Sequence, residues 1–123
     1  MKSRWINHKG VEIFYVDFSN FLLSRDLFEA ELKAVSKTVS QKPEKSVKGL
    51  VDVRNTALSI AMTVIIKGYA RRIGRYIGKA AVIVDKNTEA KRILLSGIAG
   101  AGGREVVLFE DVEEAKDWLV ENE

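Results

Sequence analysis

Asp52, Arg54, Asn55, Thr56 and Ser59 bring a carboxylate, a guanidinium, an amide and two hydroxyls close together after a short apolar run. A hydroxyl at the start of a helix can accept a phosphate, because the positive end of the helix dipole tolerates the added charge. Ser59 and Thr56 are therefore candidate phosphoacceptors, with Leu58 and Ile60 beside Ser59 expected to face the core. Asp52, Arg54 and Asn55 form a candidate edge for a ligand or a protein partner. The alternative is structural: Asp52 pairs with Arg54, and Thr56 caps the following helix.

Other chemistries are excluded or lack their parts. The chain has no cysteine, which removes thiol catalysis, disulfides and cysteine-ligated zinc together and fits a reducing compartment. His8 is its one imidazole. It lies beside an expected hairpin turn, away from the strand ends where ligands of open α/β sheets gather. Gly97, Gly100, Gly102 and Gly103 follow a helical pattern and precede a strand. A phosphate cradle needs the reverse order, so these glycines read as a connection. The acidic run from Asp111 to Glu123 lacks the ligand spacing and turn glycine of a calcium loop. No catalytic residue, metal site or cofactor is expected.

The strongest surface signal is basic. Residues Ala57 to Ile66 carry no charge, and Lys67, Arg71, Arg72, Arg75 and Lys79 follow on the side opposite Leu58, Met62, Ile65, Ile66, Tyr69, Ile73 and Tyr76. Such a helix can meet an anionic membrane or an acidic partner. Nucleic acid is not expected. Tyr69 and Tyr76 fall on the apolar side, away from the basic residues, and the net charge is only +3.

These residues must be positioned by elements that the pattern also predicts. Ile6, the Lys9-Gly10 turn and the run from Val11 to Phe18 read as a β-hairpin whose second strand is apolar on both faces. Ser24 opens a helix to about Gln41, with Phe28, Leu32, Val35 and Val39 on one stripe. Gly49 to Val53 is a strand, Ala57 to about Ile77 a helix, and Ala80 to Val84 a buried parallel strand. Asn87 or Thr88 caps a helix carrying Ile93, Leu94 and Leu95. Val106 to Phe109 is the last strand, and Asp111 caps a terminal helix that buries Ala115, Trp118 and Leu119. The expected order is ββαβαβαβα: one α/β domain over residues 1–123, with about five mostly parallel strands, an antiparallel N-terminal hairpin and four helices. At 123 residues, 46% hydrophobic and 30% charged, the chain can bury a core unaided. Its longest uncharged stretch, Asn55 to Ile66, is short of the ~20 residues a spanning helix needs. The N-terminal segment has no apolar signal run. The expected location is cytoplasmic, peripheral to a membrane if the basic helix docks there.

The arrangement resembles the SpoIIAA-like branch of the STAS domains. The resemblance is carried by Lys9-Gly10-Val11-Glu12-Ile13 with Tyr15-Val16-Asp17-Phe18, by Gly49-Leu50-Val51-Asp52-Val53-Arg54, and by Arg72 to Ile77 leading into Lys79-Ala80-Ala81-Val82-Ile83-Val84. The ending, Phe109-Glu110-Asp111-Val112-Glu113-Glu114-Ala115-Lys116-Asp117-Trp118-Leu119, is the most distinctive part. The resemblance implies a small non-enzymatic STAS-like fold that binds an apolar ligand or meets a membrane surface. It also implies an alternative, a partner-switching regulator controlled by phosphorylation of a serine after the central strand. Ser59 is the nearest such serine, and Leu58-Ser59-Ile60-Ala61 stands where that family carries Asp-Ser-Ser-Gly.

Overall fold

The computed structural model describes residues 1–21, 24–86 and 105–121. Strands β1 (Arg4–His8) and β2 (Val11–Asp17) form an antiparallel hairpin that pairs Trp5 with Phe14 and His8 with Val11. Both turn residues are left-handed, Lys9 at φ 52° and Gly10 at φ 82°. That twist matches the strands it joins, so Lys9 as well as Gly10 takes a positive φ.

Helix α1 (Arg25–Val39) begins where its cap demands: the Ser24 hydroxyl accepts from the Leu27 amide at 3.4 Å. It ends at Val39, two residues before the expected Gln41, and the Ser40 amide still donates to the Ser36 carbonyl. Strands β3 (Val47–Asp52), β4 (Ile77–Ile83) and β5 (Glu105–Phe109) extend the sheet, each parallel to the one before it, and β3 is parallel to β2. The order across the sheet is β1-β2-β3-β4-β5. Consecutive right-handed crossovers that step in one direction place their helices on one face, and this is where α1 and helix α2 (Ile60–Ile73) lie. Helix α3 (Val112–Val120) covers the other face.

The architecture is thus one α/β domain with a five-stranded mixed sheet, antiparallel at its N-terminal hairpin and parallel elsewhere. Three helices are described, in the order ββαβαββα, rather than the expected four. The helix expected around Ile93 to Leu95 lies outside the described residues.

Helix α2 is shorter than its hydrophobic pattern. It starts at Ile60 because the Ser59 hydroxyl accepts from the Met62 amide at 3.2 Å. It gives way at Gly74 to a 3₁₀ turn (Gly74–Tyr76), and β4 already begins at Ile77.

Both faces of β2 are used. Phe14, Val16 and Phe18 pack with Phe28, Leu32 and Val35 of α1 and with Met62 and Ile73 of α2. Ile13 faces the opposite layer, where Leu50, Ala81 and Ile83 meet Ala115 and Leu119 of α3. Trp118 is half-buried at the edge of that layer, 5.8 Å from the Phe109 ring.

Candidate functional site

Asp52 ends β3 with its carboxylate 1% exposed. Its Oδ1 accepts from the Arg54 amide (3.1 Å) and Arg54 Nε (3.0 Å), and its Oδ2 from Arg54 Nη2 (2.7 Å) and the Tyr15 hydroxyl (2.6 Å). A carboxylate offers about four acceptor sites, and these four bonds fill them. Burial alone would raise the Asp52 pKa. The bonds from Arg54 and Tyr15 outweigh it and hold the carboxyl below its ordinary value. The same contact acts in reverse on Tyr15, whose phenol is pushed up to about 12 by burial and by its bond to Asp52. Arg54 is held more firmly protonated by its bonds to Asp52.

Asn55 and Thr56 work as ties between loops. Asn55 sits at φ 57°, its amide donates to the Asp85 carboxylate, and its side chain donates to Asn20 Oδ1 at 3.0 Å. Thr56 is 4% exposed; its hydroxyl donates to the Phe18 carbonyl and accepts from the Phe21 amide at 3.1 Å. It does not cap α2. Ser59 does, and its side chain is exposed. Ile60 beside it is 80% exposed rather than facing the core, because α2 presents this first turn to solvent; Leu58 is half-buried. The edge has a further limit. Among the described strands, those adjacent in sequence are adjacent in the sheet, so strand order does not reverse there. The space at the strand ends is an open, shallow cleft lined by Arg54, Lys86, Glu110, Asp111 and Glu114.

The five basic residues separate. Lys79 belongs to β4 and points to the opposite layer, where it is 5% exposed. Its ammonium donates to the Trp118 carbonyl at 2.9 Å and stands 4.5 Å from the Trp118 ring. Arg75 leaves the helix and pairs with Glu44 at 2.7 Å. Arg72 lies over the Tyr69 ring at 4.3 Å and Arg75 over the Tyr76 ring at 5.3 Å. The two tyrosines are therefore not set apart from the basic residues as the helical pattern predicts, because long arginine side chains fold back over neighbouring rings. Lys67 and Arg71 remain on the outer stripe of α2, spaced with Ile60 and Val64 at i, i+4, i+7 and i+11. Ile60 and Val64 are 80% and 65% exposed. The outer stripe is therefore apolar in its first half and basic in its second.

The sheet and the two helices above it frame a cavity of about 160 Å³ that is partly open to solvent. Phe14, Gly49, Val51 and Ala80 contribute to its floor, and Val35, Ile66, Ala70 and Ile73 to its roof. No charged side chain lines it among the described residues. The apolar pattern of the sequence does not reveal this feature, since it marks core positions but not whether their side chains fill the space between them. Its signal is small residues at core positions: Gly49 between Val47 and Val51, Ala70 on the apolar side of α2, and Gly74 just past its end.

Among the described residues no group of His, Asp and Glu is arranged to hold a metal ion. No described helix is long and apolar enough to cross a membrane. Comparison of the chain with protein-family models, curated proteins and solved structures returned no match.

Proposed function

We propose that the protein is a non-enzymatic binding module of SpoIIAA-like, STAS-type architecture whose ligand is a small apolar molecule seated between the sheet and helices α1 and α2. The cavity of about 160 Å³ carries this reading. Protein interiors pack as densely as organic crystals and leave few voids larger than a water molecule. At ~24 cal/mol per Å³, a sealed void of this size would forfeit roughly 4 kcal/mol of packing, an upper bound for a space that is partly open. An apolar occupant would restore those contacts, whereas water would find almost no polar partners among the described lining residues. The saturated Asp52 carboxylate and the buried Thr56 hydroxyl favour the cavity over the strand-end edge as the place of binding. The test is organic extraction of natively purified protein followed by mass spectrometry. A stoichiometric apolar compound, absent after unfolding and refolding, supports the reading. Its absence, together with no thermal protection by a panel of apolar compounds, rejects it.

A second reading rests on the outer stripe of α2. Exposed Ile60 and Val64 continue into Lys67 and Arg71, a pattern that suits shallow contact with an anionic membrane. The two readings are compatible, since an apolar ligand is most abundant in a membrane. The partner-switching alternative has exposed Ser59 in its favour, and mass spectrometric detection of phosphate there after treatment with a cognate kinase would support it.

A further inference from the structure

Gly49 lies in the middle of the central strand, buried, with Val47, Val51 and Val53 on the same face. Nothing in the backbone requires glycine there, for its φ is outside the left-handed region. Close packing does not require it either: a Cβ built on Gly49 meets no heavy atom within 4 Å. Gly78 shows the contrast, because a Cβ there would stand 2.7 Å from the Lys45 carbonyl oxygen. Glycine in a strand interior weakens the strand, and it marks places where another group approaches the backbone closely. Register puts Gly49 between Phe14 of β2 and Ala80 of β4, so the open space lies above the cavity floor.

We propose that Gly49 is the specificity-determining residue of the cavity, and that the missing side chain admits a compact apolar molecule of single-ring size against the β3 backbone. This rests on the apolar-ligand reading above and narrows it. The volume argues for a ring rather than a long chain: a cavity of ~150 Å³ lined by apolar side chains takes up benzene.

The test compares thermal unfolding with saturating toluene and with dodecanoic acid, in wild type, Gly49→Ala and Gly49→Val. Toluene is expected to raise the wild-type Tm by about 5 °C or more, and dodecanoic acid to have little effect. Gly49→Val should fill the space, keep or raise the ligand-free Tm, and weaken toluene binding by about tenfold or more. Gly49→Ala, which meets no clash, should fold in any case and give an intermediate toluene response. Protection by dodecanoic acid and none by toluene would overturn the size assignment while leaving an apolar-ligand module standing. An undiminished toluene response in both variants would overturn the role of Gly49. Protection by neither compound would overturn the proposal, and the extraction experiment decides separately whether any apolar ligand binds.

Discussion

Asp52 is the most tightly held side chain at the strand-end edge, and its environment makes predictions on both sides of neutrality. Removing one partner of a buried ion pair costs ~3–5 kcal/mol. Arg54 keeps 41% of its side chain in water, so Arg54→Ala should cost less, about 2–3 kcal/mol in urea unfolding. The Asp52 pKa is lower in the folded state than in the unfolded chain. Its contribution is therefore present above the unfolded value, ~3.9, and is lost as pH falls through the folded value. Between pH ~5 and ~3 the wild type should lose more stability than Asp52→Asn. Tyr15 has the opposite sign. Its pKa is raised to about 12, so its contribution is complete below ~10 and is lost as pH rises from there toward the folded value. Alkaline titration followed by ultraviolet absorbance should show a late phenol that disappears in Tyr15→Phe; a wild-type titration indistinguishable from free tyrosine would contradict the contact. The Asp52–Arg54 pair was legible because two positions along a chain end suffice to bring the groups together. Tyr15 and Thr56 were not, because their partners depend on how β2 lies against β3 and on where the following loops cross.

Element boundaries followed their caps more faithfully than their apolar patterns. Ser24, Ser59 and Asp111 each accept an amide bond and start a helix, and two of these starts were readable in sequence. The apolar pattern extends α2 beyond its real ends, because Ala57 and Leu58 continue it at the start and Tyr76 and Ile77 at the end. A helix extended to Ile77 carries Lys79 onto its basic side, which is why the pattern misassigns that residue. In β4 the alternation of the strand turns it toward α3, where it binds the carboxyl end of that helix. Trp118→Ala should therefore remove a half-buried ring, its tilted contact with the Phe109 ring and a cation–π contact. The expected loss is about 2–3 kcal/mol in denaturant unfolding, below the ~3–5 of a fully buried aromatic. A change under ~1 kcal/mol would place the ring outside the packing. For α2, Lys67→Glu with Arg71→Glu should abolish cosedimentation with anionic vesicles at low salt and leave Tm nearly unchanged. Each basic residue near such a surface contributes about 1 kcal/mol, screened beyond ~8–10 Å at physiological salt. Equal negligible binding of the wild type to anionic and neutral vesicles would remove the membrane reading.

At the scale of the whole molecule, alternating strand and helix patterns were enough to read an α/β layer with an antiparallel hairpin. The runs apolar on both faces, Val11 to Phe18 and Ala80 to Val84, identified strands covered on both sides. What could not be read was negative space. An apolar pattern says which side chains turn inward; it does not say whether their volumes meet, and here Gly49, Ala70 and Gly74 leave them apart. On the proposed function, this space binds a small apolar molecule. The decisive measurement is amide NMR of isotope-labelled protein titrated with toluene. Saturable shifts at Gly49, Val51, Ala70, Ile73 and Ala80, with the strand-end residues Asp52 to Thr56 little affected, are the predicted result. No shifts, or shifts confined to the outer stripe at Ile60 and Val64, would contradict it.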